Sequence, residues 1–160
     1  MDVIDAALDV KPDSPVARLR RQRPDLVTYS QSSHDAALHP AHPGNLTYAK
    51  RAALSCRIAK IAGEAALATH YLTLFQQTGG TPELAAVFDP AWRPAENSRL
   101  AAIVRHVDMI TRNPEQASKN DIAALRSAGL PDAEIVSLSG LIAFVNYQLR
   151  VVAGLRLLKD

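Results

Sequence analysis

Short alanine-rich segments that end at glycine or proline are the feature that most restricts the fold of this chain. From Thr47 onward these segments carry apolar residues at helical spacing, and Gly63, Gly80 and Gly129 stand where helices end. No run of alternating Val, Ile or Thr lies between turn signals, so no strand is expected. The pattern predicts an all-α, multi-helix fold.

The same signals set the predicted helix boundaries. Thr47 caps a helix that runs to Ala62, and after a break at Gly63 the next helix continues through Phe75. A short helix opened by Thr81 and Pro82 is expected next, followed by a helix from Asn97 or Ser98 to Arg112. Two more helices are expected, one from Ser118 to Ala128 and a long one from Asp132 to Leu157.

The N-terminal part is less regular. Ser14 followed by Pro15 predicts a helix start, YSQSSHDAAL is expected to be helical, and HPAHPGN is expected to form a loop. The arginines of RLRRQRP spread around a helix, which is typical of a solvated or subunit-contacting segment. We expect a helical and irregular extension over residues 1–45 and a helical core over residues 46–160, together one compact unit.

Composition and charge argue against several classes of protein. Lys and Arg number 18 and Asp and Glu 16, so the net charge of +2 gives no electrostatic reason to expect nucleic acid as a partner. A single cysteine, Cys56, excludes an intramolecular disulfide. The apolar stretch from Leu141 to Leu158 contains two arginines, which are costly in a bilayer, and the first residues lack a basic signal-peptide region. These features predict a soluble cytoplasmic protein without a membrane partner.

Two segments resemble the carboxymuconolactone decarboxylase superfamily, which includes alkylhydroperoxidase D (AhpD). The stretch from Leu46 to Phe75 is similar to the family core, in which a helix and a turn precede CxxCxxxH. The stretch from Thr111 to Leu155 resembles the peroxidase-related branch, with TR-x-P, AGL-x-x-x-x-I and FVNY-x-x-R. The resemblance covers most of residues 15–158. It implies an AhpD-like helical fold and homo-oligomers, commonly trimers or hexamers.

The resemblance also shows which catalytic positions have changed. In redox-active members the two cysteines of CxxC form the catalytic couple. A histidine four residues after the second cysteine works with an upstream glutamate as a proton relay. His70 matches that histidine, but Gly63 and Ala66 stand at the cysteine positions, and no carboxylate stands among residues 50–52. Two-cysteine peroxidase chemistry therefore cannot run within this chain.

Cys56 and His70 are the candidate catalytic residues. A reactive Cys56 requires the turn at Gly63 or a subunit contact to bring it near His70, with Arg57 and Lys60 lowering the pKa of its thiol. The alternative is a small buried side chain on the apolar face of an alanine-rich helix. For His70, with Tyr71 beside it, the alternatives are a neutral general base in a ligand pocket and a buried structural histidine.

Asn146, Arg150 and Tyr71 are the candidate substrate-binding residues. Asn146 and Arg150 lie four apart on one helix, so their polar groups point the same way. Arg150 is interpreted either as the partner of an acid such as Asp108 or Asp121, as a subunit contact, or as a carboxylate clamp.

No metal or cofactor is expected. His34, His39 and His42 fall in or near a proline-punctuated loop rather than on converging elements, so they do not make a metal site.

The sequence is compatible with three functions. The first is a peroxidase-related, antioxidant enzyme with peroxiredoxin-type activity, altered or lost with the CxxC pair. The second is a catalytically silent ligand-binding protein or assembly partner of a CxxC-bearing peroxidase. The third is a decarboxylase-like enzyme that acts on a small organic acid through His70.

Overall fold

The structure, a computed structural model, describes residues 2–159, and within that range every regular element is helical. This confirms the all-α prediction. Short 3₁₀ turns occur at Ala86–Phe88 and Pro114–Gln116. The α-helices in chain order are α1 (Val3–Leu8), α2 (Pro15–Arg21), α3 (Pro24–Leu38), α4 (Tyr48–Ile61), α5 (Ala65–Gln77), α6 (Pro82–Ala85), α7 (Arg99–Arg112), α8 (Lys119–Ser127) and α9 (Asp132–Arg156).

The helix ends form where local signals predict them. The Thr47 side chain accepts a hydrogen bond from the Lys50 amide at the start of α4, and Ser98 accepts one from the Ala101 amide at the start of α7. Gly63 has a φ of +73°, a conformation that glycine adopts without steric cost. The chain therefore reverses between α4 and α5, and the two helices pack against each other as a hairpin.

α4 lies in the middle of the core. Every residue from Arg51 to Ala59 is buried, and three of them are the small residues Ala52, Ala53 and Ala59. Small side chains allow neighbouring helices to approach closely, and α4 contacts α3, α5, α7 and α9.

α9 is the longest helix, with 25 residues, and it packs against α1, α3, α4, α7 and α8. Nine of its side chains are buried. By length and composition α9 is apolar enough to cross a membrane, but 44% of its most apolar window is buried inside the protein, and core helices of soluble proteins meet the same criterion.

The first three helices are held against this core, in part by a buried arginine. Arg51 donates to the carbonyl oxygens of Leu46 and Ala37, at 2.8 and 2.9 Å, and to the hydroxyl of Ser137 at 2.6 Å. These bonds join the end of α3 to α4 and α9. They fix the last turns of α3, where His34 lies.

Candidate functional site

Two histidines from distant parts of the chain meet between α3 and α5. Nε2 of His34 lies 2.9 Å from Nε2 of His70, and Nδ1 of His34 lies 3.0 Å from a carboxylate oxygen of Asp35. His34 is 4% exposed, His70 is half-buried, and Asp35 is exposed. The three side chains therefore form a hydrogen-bonded array from a surface carboxylate through a buried imidazole to a second, more accessible one.

The chemistry of the three side chains determines which ring nitrogens carry protons. A carboxylate only accepts hydrogen bonds, and hydrogen bonding to His34 holds the pKa of Asp35 below its ordinary value, so Nδ1 of His34 carries a proton. Neutral His34 then accepts through Nε2, and His70 donates its Nε2–H. This leaves the lone pair on Nδ1 of His70 outside the hydrogen bond between the two rings.

Burial keeps both rings neutral. Desolvation, followed by the nearby His34 and His39, lowers the pKa of His70 from 6.5 to about 4. Desolvation also lowers the pKa of His34, and Asp35 opposes that shift. At neutral pH, His70 therefore accepts and donates hydrogen bonds as an uncharged imidazole.

Aromatic side chains surround the pair. The ring of Phe144 lies edge-on to His34 with 6.2 Å between centroids, and Tyr147, which is 45% exposed, lies 6.0 Å from Phe144. Tyr71 is fully buried, and its hydroxyl donates to the side-chain oxygen of Gln148. Burial raises the pKa of Tyr71 well above its ordinary value, so it remains a neutral phenol.

Cys56 lies away from the pair. Its side chain is fully buried, and Sγ donates to the carbonyl oxygen of Ala68 at 3.5 Å. Ala68 and His70 are two residues apart on α5, so their side chains point in directions about 160° apart. The turn at Gly63 does fold α5 onto α4, but it presents Ala68 rather than His70 to Cys56.

The expected lowering of the pKa of Cys56 is wrong in direction. Burial raises the pKa of its thiol, and the opposing effect of Lys60 is smaller. The side chain of Arg57 does not lower this pKa, because its guanidinium is bound to Asp108.

Asn146 and Arg150 lie away from the histidine pair. They point away from Phe144 and Gln148, because side chains two positions apart on a helix point in directions about 160° apart. Both line a groove beside Gly63. The expected pairing of Arg150 with Asp108 or Asp121 is wrong, because Asp108 binds Arg57 and Asp121 caps α8 through Ser118. Arg150 instead donates to the backbone and side-chain oxygens of Asn146, at 2.9 and 3.3 Å.

His34, Asp35 and Gln148 were not predicted from the sequence to be site residues. His34 was considered only as a metal ligand with His39 and His42, and in residues 2–159 no three His, Cys, Asp or Glu side chains are grouped to hold a metal ion. The adjacent His and Asp on a helix were the available signal, but nothing local shows that they face His70.

No protein-family model matches the chain, and no curated protein sequence is similar to it.

Proposed function

We propose that this chain is a protein of the carboxymuconolactone decarboxylase type in which His70, His34 and Asp35 perform acid–base chemistry on a small organic acid. The hydrogen bond between the two Nε2 atoms, with Asp35 at its far end, is the observation that carries the proposal. His70 stands where the family resemblance expects a proton-relay histidine. His34 and Asp35 supply the relay that the missing upstream glutamate would have supplied.

The array offers a defined path for one proton. Nδ1 of His70 takes a proton from a substrate carbon or hydroxyl, and the Nε2–H of His70 passes to Nε2 of His34. His34 is then an imidazolium whose Nδ1–H donates to the Asp35 carboxylate, which stabilises the positive charge. The reverse transfer returns the proton to a neighbouring atom of the substrate, as in isomerisation, or to the carbon left by decarboxylation.

The peroxidase alternative has less support. A peroxidatic cysteine reacts as its thiolate, and Cys56 is fully buried with a raised pKa. In the proposed function Cys56 therefore performs no redox step.

A catalytically silent ligand-binding protein is the second candidate. The pKa of about 4 for His70 favours it, because a base that is weak at neutral pH contributes less to proton abstraction. In that case His70 and the exposed Tyr147 bind a ligand without turning it over.

Assembly into a homo-oligomer belongs to the same proposal. Val136 on α9 is 71% exposed and Tyr29 on α3 is 67% exposed, and contact between subunits would cover apolar side chains of this kind. Light scattering after gel filtration gives the subunit number. Co-purification tests the alternative assembly with a CxxC-bearing partner.

Exchange of carbon-bound protons in D₂O tests the acid–base function. The probes are 2-oxoglutarate and an unsaturated γ-lactone acid, followed by proton NMR. We expect protein-dependent exchange that falls about a hundredfold in His70→Gln and less in His34→Gln. His42→Gln, which changes an exposed histidine of the loop, serves as the control and keeps the wild-type rate.

Two results would overturn the acid–base function. One is the absence of protein-dependent exchange with both probes. The other is equal exchange by wild type and His70→Gln while circular dichroism shows that both are folded. Binding of a probe without exchange, lost in His70→Gln, would establish the silent alternative instead.

A further inference from the structure

A groove lined by three arginines lies on the side of α9 opposite the histidine pair. Its walls are the turn between α4 and α5, the C-terminal end of α7 and the C-terminal half of α9, and its volume is about 790 Å³. Gly63 lies at the turn, and a Cβ built there would meet no atom within 4 Å. The groove is therefore open at the turn.

The charges in the groove are unbalanced. Its charged side chains are Glu64, Arg112, Arg150 and Arg156, which give a net charge of +2. Both oxygens of Glu64 are bound by Arg156, at 2.6 and 2.8 Å, so this pair is neutralised internally. Within residues 2–159 neither Arg112 nor Arg150 has a carboxylate within 4 Å.

The hydrogen bonds of Arg150 leave part of its guanidinium group free. Its two hydrogen bonds to Asn146 use a single guanidinium nitrogen, Nη1. Nε and Nη2 remain available, and a planar guanidinium binds two oxygens of one carboxylate or phosphate through adjacent N–H groups. Asn146 thus orients the arginine without neutralising it.

We propose that this groove binds a small oxyanion, a carboxylate or phosphate group held by Arg112 and Arg150. The site is separate from the histidine array and does not depend on its function. Recognition rests on the bidentate geometry of the guanidinium groups, so chloride is not expected to substitute.

Isothermal titration at constant ionic strength tests this site, with malonate and inorganic phosphate as probes and chloride as the salt control. We expect saturable binding of at least one probe, and a Kd raised about tenfold or more in Arg112→Gln and Arg150→Gln. Arg21→Gln changes an exposed arginine of α2 that has no carboxylate partner among residues 2–159, so it serves as the charge-matched control and leaves the Kd unchanged. Binding of only malonate or only phosphate identifies the group recognised.

The site is overturned if neither probe binds saturably, or if Arg150→Gln and Arg21→Gln give the same Kd. His70→Gln should bind the probes as wild type does, so failure of this site and failure of the histidine function are distinguished. Arg112 and Arg150 are exposed, and an unchanged Tm without ligand would show that their variants are folded.

Discussion

Arg57 and Asp108 form a two-point ion pair that joins α4 to α7. Nε and Nη2 of Arg57 lie 2.6 and 2.7 Å from the two carboxylate oxygens, and Arg57 is fully buried. The same guanidinium donates to the backbone oxygens of Val87, Asp89 and Pro90. One side chain therefore holds two helices and the loop after the first 3₁₀ turn.

Removal of the carboxylate should strongly destabilise the protein. Asp108→Ala leaves the buried guanidinium of Arg57 without its counter-ion, which costs about 3–5 kcal/mol. For a chain of this length we expect Tm to fall by roughly 10 °C in a calorimetric scan. Asp25→Ala, in an exposed pair with Arg23 that solvent screens, should lower Tm far less. Equal losses in the two variants would contradict a structural role for the buried pair.

Helix ends were predictable and long-range pairings were not. Thr47, Gly63 and Ser98 act on backbone within a few residues, so their effect is visible in the local sequence. Asp108 was one of several partners considered for Arg150, and its actual partner is Arg57, which only the packing of α4 against α7 brings within reach.

The candidate site illustrates the same distinction. His70 was identified from its place in a motif, but its contact with His34 spans 36 residues of chain. That contact depends on how α3 and α5 are each placed against α4, for which the sequence carries no local signal. Asn146 and Arg150 were correctly placed side by side, since an i, i+4 relation is set by the helix alone.

Acidification should destabilise the protein through His70. Because the pKa is about 4 in the folded state and about 6.5 when the chain is unfolded, the unfolded chain binds more protons between these values. The free energy of unfolding is therefore highest above pH 6.5 and falls as the pH drops towards 4, by about 1–2 kcal/mol after solvent screening.

Urea denaturation of wild type and His70→Gln at pH 7.5, 6, 5 and 4.5 measures this contribution. The difference between the two free energies should change with pH in the stated direction, whereas His42→Gln should follow the wild type. A difference that is constant across the range would show that His70 is not desolvated in the folded state.

Cys56 should resist oxidation in the native protein. Its thiol is buried and its pKa is raised, so little thiolate is present to attack a peroxide. Intact-protein mass after a small excess of organic hydroperoxide should be unchanged under conditions that oxidise free cysteine, and Cys56→Ser provides the blank. Rapid, near-stoichiometric oxidation that a thiol reverses would restore the one-cysteine peroxidase interpretation.

The buried hydrogen bond between Tyr71 and Gln148 should show a strong pairwise coupling. Tyr71→Phe leaves the Gln148 side chain buried without its donor, and Gln148→Leu leaves the Tyr71 hydroxyl without its acceptor. Each single variant should lose about 1–3 kcal/mol of unfolding free energy, because an unsatisfied buried polar group retains its desolvation penalty. The double variant removes both polar groups together and should therefore be less destabilised than the sum of the singles. Urea denaturation of all four proteins gives the coupling energy, and additivity would mean that the two groups do not interact.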